Sequence, residues 1–498
     1  MISSIVWVPQ GACQERPSKF IPSEKEMSAM SAMSEEHHFQ NENEHNDNDE
    51  HDDEEEDDDA EVMMEDMELG DDGLPKSFAM NNYDEEEEEA ALHEEELTDM
   101  ELEENMDNLN DDDLDAMAND DPDFEDLEIR KTDRLILVAN TEEEFSTLEV
   151  QIYDESEGSL YVHHEITLPA FPLCMTWLNC HPDTNTQSDS GSYVAVGTFK
   201  AGIEIWNLDV LDVLEPSAVL GGEQNTDLRK VALTQGEMKE GSHTDAVMAL
   251  DWNPTHRNML LSGSADGTVK LWDLTTQTCM STMTHHDDKV QCVLWNPTES
   301  SIAATAAYGG HVSVVDVRDP SAIRNFVVSC DPECCAWNPH APHELYVGLD
   351  DGSILSFDVR SNQEPLMKIQ GHSKAVTGIA FSPTLPGFMA TSSLDKSVKI
   401  WDISSSDPME IYTKEMAVGE LFSLAFAKDS PMTLAVGGEE GVLAVWDTSE
   451  QSGIERTFAG RERKEEMVSS DIASTLKNET SMEKVKVKSS KKKKKKKT

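Results

Sequence analysis

A short apolar strand that ends in an aromatic residue recurs through residues 170–450 of the sequence. Two versions alternate: one ends in Trp-Asn-Pro or a near variant, and the other ends in an aromatic residue followed by Asp or Asn. Successive copies of the second version lie 42 to 45 residues apart from Trp272 onward, and such a fixed period indicates a structural repeat. The first version ends at Trp177, Trp252, Trp295, Trp337, Phe381 and Phe426, and the second at Trp206, Trp272, Val315, Phe357, Trp401 and Trp446.

Within each repeat the apolar residues alternate with a period of two. The stretches "MLLSGSADGTVKLWD" and "FMATSSLDKSVKIWD" each predict two strands joined by a tight turn, at Asp266 in the first and at Asp395 in the second. Four short antiparallel strands per repeat are typical of propeller blades, which must stack to bury both faces. We therefore expect an all-β fold, a β-propeller.

The first residues of the chain, "MISSIVWVP", align with "AVMALDWNP", so that Trp7 falls on Trp252. This predicts an innermost strand whose partner strands lie at residues 133–165, where Tyr153 stands in for the tryptophan. With this blade the count is seven, and we expect a closed ring without an open edge. The outer strand of blade seven is expected in "GIERTFAG", residues 453–460.

Acidic residues are concentrated between the first strand and its partners. The chain has 101 acidic and 38 basic residues, and residues 31–130 contain 45 of the acids against Lys76 and Arg130. So little apolar material cannot offset the entropy of ordering, which predicts disorder. The predicted organisation is a strand of blade one at 1–9, a disordered acidic insertion at 10–130, the propeller at 131–460 and a disordered lysine-rich tail at 461–498.

Several classes of protein are not indicated by the sequence. The eight cysteines show no regular spacing and no CxxC pair, which argues against a disulfide framework or a zinc ribbon. No apolar run approaches the roughly 18 residues of a membrane span. Neither a nucleophile elbow nor a phosphate loop is present. We expect no enzyme activity, catalytic residue, cofactor, metal site, membrane partner or small-molecule substrate.

The repeats resemble WD repeats over essentially all of the part expected to fold. In that family a histidine ahead of the repeat, a Ser or Thr, the turn Asp and the Trp form a buried chain of hydrogen bonds. Gly309 and Phe357 depart from this pattern, so their blades are expected to depend on apolar packing alone. The resemblance implies two complete structural sets, His243, Ser262, Asp266 and Trp272, and His372, Thr391, Asp395 and Trp401.

The combination of Trp-Asn-Pro repeats, a strand at the N-terminus, an acidic insertion and a lysine tail resembles the periodic-tryptophan family of WD-repeat proteins. Further matches are "DLEIRKTDRLILVANTEEEFSTLEVQIYDE" and "WNLDVLDVLEPSAVLGG", the second opening an insertion at residues 208–242. The resemblance implies a protein of the nucleus and nucleolus that acts in ribosome biogenesis, with links to chromatin at the ribosomal DNA.

Both charged segments suggest partners. The acidic insertion favours basic proteins such as ribosomal proteins or histones, although a solvated charge run without a partner is the alternative. The lysine run favours a nuclear or nucleolar address with non-specific RNA contact, against a tail that only aids solubility. Whether Ser469, Ser470, Ser489 or Ser490 is phosphorylated stays open. The lysines concerned are Lys484, Lys486, Lys488, Lys491, Lys492, Lys493, Lys494, Lys495, Lys496 and Lys497.

Two functions of different class follow from these features. The first is a non-enzymatic scaffold for ribosome assembly proteins and pre-ribosomal particles, in large-subunit assembly and rRNA production or processing. The second is a chromatin- and histone-binding regulator of rDNA transcription. Leu208, Leu211 and Leu214 are spaced as one and a half turns of helix ending at Pro216, either a docking element or a clasp between blades.

Overall fold

The computed structural model describes residues 1–20, 128–142, 145–182, 191–224, 238–361 and 364–461. Most of the predicted acidic insertion and residues 462–498 of the tail lie outside this described part. Among the described residues, no helix has the length and apolarity to cross a membrane. All eight cysteines are free thiols.

Seven antiparallel sheets form the blades, and in each the strand order follows the chain from the innermost strand outward. Blade one contains β1 (Ile2–Trp7), β3 (Arg134–Glu142), β4 (Phe145–Asp154) and β5 (Ser159–Leu168). Blade two contains β6 (Pro172–Leu178), β7 (Tyr193–Thr198), β8 (Ile203–Asn207) and β10 (Ala218–Leu220). The short strands β2 (Ser18–Lys19) and β9 (Val210–Leu211) pair in parallel outside the blades.

The middle blades are the most regular. Blade three contains β11 (Val247–Trp252), β12 (Met259–Ser264), β13 (Val269–Asp273) and β14 (Thr278–Met283). Blade four contains β15 (Val290–Trp295), β16 (Ile302–Ala307), β17 (His311–Asp316) and β18 (Asp319–Val327). Blade five contains β19 (Pro332–Trp337), β20 (Glu344–Leu349), β21 (Ser353–Asp358) and β22 (Met367–Gln370).

Blade six contains β23 (Val376–Phe381), β24 (Phe388–Ser393), β25 (Ser397–Asp402) and β26 (Met409–Glu415). Blade seven contains three strands, β27 (Leu421–Phe426), β28 (Thr433–Gly438) and β29 (Ala444–Asp447). A 3₁₀ turn, Thr448–Glu450, and the helix α1 (Ser452–Phe458) follow β29. Every innermost strand has an irregularity in register between its first and third residues, so the repeat extends to backbone detail.

The first strand of the chain closes the ring, which confirms the seven-bladed fold predicted from the repeat. β1 pairs with β3 across the long insertion, with Trp7 opposite Ile136. On its other side, the amide nitrogen of Ile5 donates to Ser423 Oγ in blade seven at 3.0 Å. The pattern of burial explains why: Ile2 is fully buried and Trp7 is 3% exposed, because apolar residues of β1 fill the space between blades one and seven.

The hydrophobic core is divided among the spaces between blades. Side chains that alternate along each strand face either the preceding blade or the following one, and each face packs against its neighbour. Between blades four and five, for example, Phe326 and Phe357 are fully buried with ring centroids 5.0 Å apart. Because every blade contributes to two such layers, the blades depend on each other for stability.

One local prediction at the end of the propeller is wrong. "GIERTFAG" forms α1 rather than an outer strand, because Ile454 and Phe458, spaced by four residues, lie on one helix face and are fully buried. Phe458 stacks on Phe388 of blade six, with ring centroids 4.3 Å apart. Among the described residues, blade seven therefore has three strands, without the expected outer strand.

The predicted helix around Leu208, Leu211 and Leu214 is also absent. Leu211 belongs to β9, and the following Asp212 has a φ of 57°, which is incompatible with a right-handed helix. Leu208 and Leu211 are buried whereas Leu214 is 58% exposed, so the three leucines do not share one buried face.

Candidate functional site

Blade three holds a buried histidine surrounded by the side chains named from the sequence. His243, in the loop before β11, has no exposed surface. Its Nδ1 lies 3.1 Å from Asp266 Oδ2, and its Nε2 lies 2.7 Å from Ser262 Oγ. Trp272 Nε1 donates to the same Ser262 oxygen at 2.8 Å. One chain of hydrogen bonds thus runs from the blade interior to the turn.

Blade six contains the second set in the same arrangement. His372 Nδ1 lies 3.1 Å from Asp395 Oδ2, and its Nε2 lies 2.8 Å from Thr391 Oγ1. Trp401 Nε1 donates to that threonine oxygen at 3.0 Å. The structure therefore brings together the four residues of each set.

The electrostatics of these two sets are typical of structural hydrogen bonds rather than of a catalytic site. Burial lowers the pKa of His243 and of His372, although the facing carboxylate opposes the shift. Burial would raise the pKa of Asp266, but hydrogen bonds from His243, Thr268 and Thr244 outweigh it, so that this pKa is lowered. Each set is thus a neutral imidazole beside an ionised carboxylate. Both ring nitrogens have partners, which indicates a structural role.

Blade four corrects the expectation that it depends on apolar packing alone. Val315 and Gly309 replace the Trp and the turn Asp, yet His286 Nε2 lies 2.8 Å from Thr305 Oγ1. The Nε2 of His285 lies 3.0 Å from the same oxygen. Burial, followed by the neighbouring imidazoles, lowers the pKa of His286 to about 3. A histidine–threonine pair therefore persists without the Trp and Asp.

Blades five and seven show what happens where the polar partners are missing. Phe357 packs against Phe326 in an apolar layer of blade five, as the sequence predicts. In blade seven, Val436 occupies the position of the Ser or Thr. Trp446 is 2% exposed, and among the described residues its Nε1 has no hydrogen-bond acceptor. Of the blades that keep this tryptophan, blade seven is therefore the one whose indole N–H has no acceptor among the described residues.

The recurring Trp-Asn-Pro stretches connect neighbouring blades, a role that the sequence alone did not reveal. Trp295 Nε1 of blade four donates to the carbonyl oxygen of Asp251 in blade three at 3.0 Å. Trp7 Nε1 of blade one reaches the carbonyl oxygen of Ala425 in blade seven at 3.1 Å. Both acceptors immediately precede the aromatic residue of the adjacent inner strand. Trp295 and Trp7 therefore fix their own inner strands to the preceding one, whereas Trp252 Nε1 donates within its own blade, to the carbonyl oxygen of Arg257 at 2.8 Å.

The asparagine of the same stretch binds the following blade. Asn253 Nδ2 donates to the carbonyl oxygen of Ser300 in blade four at 2.7 Å, and Asn296 Nδ2 donates to that of Pro342 in blade five at 2.7 Å. Asn296 Oδ1 also accepts from the amide of Glu299 at 2.9 Å, which shapes the turn. In the sequence, the only indication of these contacts between blades is that the Trp-Asn-Pro stretch is repeated.

A lysine side chain of blade seven reaches the ring of a tryptophan in blade two, which is not a neighbouring blade. Lys428, after β27, places its Nζ 5.1 Å from the ring centroid of Trp177 in blade two. Its charge also acts on Asp251 of blade three, where burial raises the carboxyl pKa to about 7 while the Trp295 amide and Lys428 oppose the rise. Lys428 thus connects blade seven to blade two at the ends of their inner strands.

The two ends of the acidic segment leave the propeller side by side. Residues 10–20, which the sequence assigned to the insertion, pair with blade two: the amides of Gln14 and Ser18 donate to Asp209 at 2.8 and 3.0 Å. On the returning chain, the amide of Ile129 donates to the carbonyl oxygen of Glu15 at 2.9 Å. The described residues on the two sides of the gap, 14–20 and 129, therefore lie close together beside blade two. The lysine tail lies outside the described residues.

Comparison with known proteins gives the relatives of this chain. Residues 210–435 match the family model described as nucleolar protein 10-like, N-terminal domain. The chain is 36% identical over 474 residues to an uncharacterised WD repeat-containing protein of Schizosaccharomyces pombe, covering 93% of this chain and 91% of that protein.

Two further relatives carry a more specific name. The chain is 27% identical over 519 residues to periodic tryptophan protein 1 of Saccharomyces cerevisiae, covering 92% of this chain and 90% of that protein. It is 28% identical over 343 residues to the periodic tryptophan protein 1 homolog of Drosophila melanogaster, covering 68% of this chain and 72% of the relative. With its seven blades and its 36% identity to a WD repeat-containing protein over nine-tenths of its length, the chain belongs to the WD-repeat family, and within that family it is similar to periodic tryptophan protein 1.

Proposed function

We propose that this protein is a non-enzymatic scaffold of the nucleus and nucleolus that acts in ribosome biogenesis. The supporting observation is its similarity over nine-tenths of its length to periodic tryptophan protein 1, together with the nucleolar protein 10-like match within the propeller. Its partners are ribosome assembly proteins and pre-ribosomal particles. A rigid ring with stabilised blades suits simultaneous binding of several partners.

The acidic segment gives the scaffold a basic class of partner. Residues 21–127 contain 46 acidic residues against Lys25 and Lys76. Such a charge density attracts proteins that carry nucleic-acid-binding surfaces and screens those surfaces before assembly. The lysines at 491–497 are proposed as the nuclear and nucleolar address, with non-specific RNA contact.

Gradient sedimentation of extracts tests this function. The full chain should sediment with pre-ribosomal particles after a high-salt wash, and crosslinking with mass spectrometry should place propeller residues against large-subunit assembly proteins. A matched chain lacking residues 21–127 separates the contribution of the acidic segment from that of the blades. Sedimentation only as free protein would contradict the proposal.

The second candidate is a chromatin-binding regulator of rDNA transcription, which the same acidic segment favours because histones are basic. Binding to reconstituted nucleosomes that contain no RNA tests this candidate. It would be supported if the full chain stayed bound to them at the salt concentration that releases it from pre-ribosomal particles.

A further inference from the structure

Three neighbouring blades carry exposed apolar side chains at the same position of the repeat, the turn between the second and third strands. Val442 lies in this turn of blade seven, Phe145 ends it in blade one, and Phe199 begins it in blade two. These side chains are 56%, 72% and 61% exposed, respectively. Because all blades share one strand order and blade one packs against both of the others, the three turns are adjacent at one end of the ring. We call these three side chains the apolar row.

The corresponding turns of the other four blades are polar. Asp266 in blade three and Asp395 in blade six bind the buried histidines of their sets. Asp351 in blade five accepts from the hydroxyl of Ser353, and blade four has Gly309 at this position. None of these described turns carries an exposed large apolar side chain. Isolated exposed apolar residues are normal on a protein surface, whereas a group of them in adjoining repeats is typical of a contact surface.

A second aromatic ring extends the row in blade two. Phe171, in the loop before β6, is partly buried, and its ring centroid lies 5.4 Å from that of Phe199. The amide of Phe199 also donates to the carbonyl oxygen of Phe171 at 3.2 Å, which fixes the two residues relative to each other. An aromatic pair that is already held in place loses little conformational entropy when a partner covers it. This pair is therefore suited to receive an apolar anchor residue.

The end of the row in blade seven is acidic. Glu439 and Glu440 lie in the same turn as Val442, and both are exposed. Glu142, exposed in the turn of blade one, adjoins them, since a Cβ atom added at Gly441 would lie 3.8 Å from Glu142 Oε1. Among the described residues, no lysine or arginine forms an ion pair with these three carboxylates. They therefore favour a ligand that brings its own positive charge.

The positive charges near the row are engaged elsewhere or lie at its other end. The N-terminal amine of Met1 donates to the carbonyl oxygen of Thr141 at 2.6 Å and to Asn140 Oδ1 at 3.2 Å, so neutral oxygens hold it. Lys200 follows Phe199 in blade two, at the end of the row away from blade seven. The surface thus combines three apolar side chains with negative charge at one end.

We propose that the apolar row is a docking surface for a basic amphipathic segment of a protein partner. Apolar side chains of that segment cover the row, and its lysines or arginines pair with the three carboxylates at the blade-seven end. The bound segment lies across blade one, whose first strand closes the ring. This proposal names the propeller surface that the basic partners of the scaffold would use, and in that respect it rests on the proposed function.

Binding of two synthetic peptides to the full chain tests this proposal. Both consist of leucine and lysine, with about 14 residues or roughly four helical turns, and they differ only in order. The leucines of the first lie on one helix face, whereas those of the second are scattered over all faces. Because the acidic residues 21–127 attract both peptides by charge alone, the difference in affinity reports the apolar contact. The full chain should bind the first peptide roughly tenfold more tightly than the second.

Paired substitutions locate the contact. Phe199→Ser with Val442→Ser should abolish the preference for the first peptide. The matched control, Met280→Ser with Val327→Ser, removes two side chains that are 53% and 70% exposed in blades three and four, and should retain the preference. Glu439→Gln with Glu440→Gln should weaken binding of the first peptide several-fold. Equal melting temperatures of all these chains check that the fold is intact.

Equal affinity of the full chain for the two peptides, or an undiminished preference in the Phe199→Ser with Val442→Ser chain, would overturn the proposal. Self-association of the full chain that this double variant abolishes would overturn it too, and would assign the row to a second copy of the protein. Sedimentation with pre-ribosomal particles is measured separately on the same chains. If the full chain failed to sediment with these particles, the scaffold function would fail, while the peptide affinities would still decide the docking surface.

Discussion

At the scale of single residues, the histidines of this propeller are buried hydrogen-bonding groups rather than reactive ones. His243 and His372 each connect a carboxylate at a turn to a hydroxyl that accepts from a tryptophan. Removing one partner of a buried hydrogen bond costs more stability than the bond itself contributes, because the remaining polar group stays desolvated and unpaired. Stability of a blade should therefore depend strongly on whether its set is complete.

Replacing Asp266 by Ala should destabilise the protein more than replacing Glu440 by Ala. Asp266 accepts hydrogen bonds from His243 and from the amide of Thr244, and its loss should cost about 1–3 kcal/mol. Glu440 occupies the equivalent turn of blade seven but is exposed, so its loss should change stability by less than about 0.5 kcal/mol. Urea midpoints of the two variants measure the difference. Equal midpoints would mean that the set in blade three contributes nothing.

Stability should fall as the pH decreases from 7 to 5, because buried histidines remain neutral in the folded state. The pKa of His286 is about 3 in the fold and about 6.5 when unfolded, so the unfolded chain binds an extra proton across this range. This residue alone should remove about 2 kcal/mol between pH 7 and pH 5. His286→Gln should reduce the slope of unfolding free energy against pH, whatever its effect at pH 7. An unchanged slope would place the His286 pKa close to that of the unfolded chain.

At the scale of strands and helices, the sequence predicted the elements that follow the repeat and missed those that depart from it. Trp7 aligned with Trp252 and so placed β1 correctly, although its partner β3 lies more than a hundred residues away. "GIERTFAG" was expected to be a strand because a blade was counted there, whereas the spacing of Ile454 and Phe458 already indicated a helix.

Contacts between elements were less predictable than the elements. The acceptor for Asn296, the carbonyl oxygen of Pro342, lies 46 residues further along the chain and depends on how adjacent blades stack. The pairing of Lys19 with Leu211 depends likewise on where the insertion leaves the ring. A pattern within one repeat carries no direct information about such partners.

Helix α1 should be required for the stability of blade six. Phe458→Ala removes a ring that stacks on Phe388 and leaves a cavity, at an expected cost of about 3–5 kcal/mol. Glu455→Ala, on the exposed face of the same helix, should change stability by less than about 0.5 kcal/mol. Thermal melts of both variants measure this. Equal melting temperatures of the two variants would show that α1 is not part of the folded unit.

At the scale of the whole molecule, the ring and the charged segments are separable. The described chain ends on blade six at Arg461, so a chain cut after this residue keeps α1 and the pair with Asp402. This shortened protein should fold and bind its protein partners in extract but leave the nucleolus, since it lacks the lysines at 491–497. Imaging of tagged chains measures the localisation, and adding a foreign nuclear signal to the shortened chain should restore its entry into the nucleus. Unchanged localisation would show that the propeller or the acidic segment provides the address.

The first residues of the chain close the propeller, and the acidic segment is inserted between β1 and β3. Deleting residues 1–9 removes Ile2, Ile5 and Trp7 from the layer between blades one and seven, whereas deleting residues 21–127 leaves every described contact in place. Calorimetry of the two deletions compares them directly. For the second deletion we expect a cooperative transition near that of the full chain, and for the first we expect aggregation or a much lower melting temperature. Equal melting temperatures would mean that residues 1–9 do not close the ring.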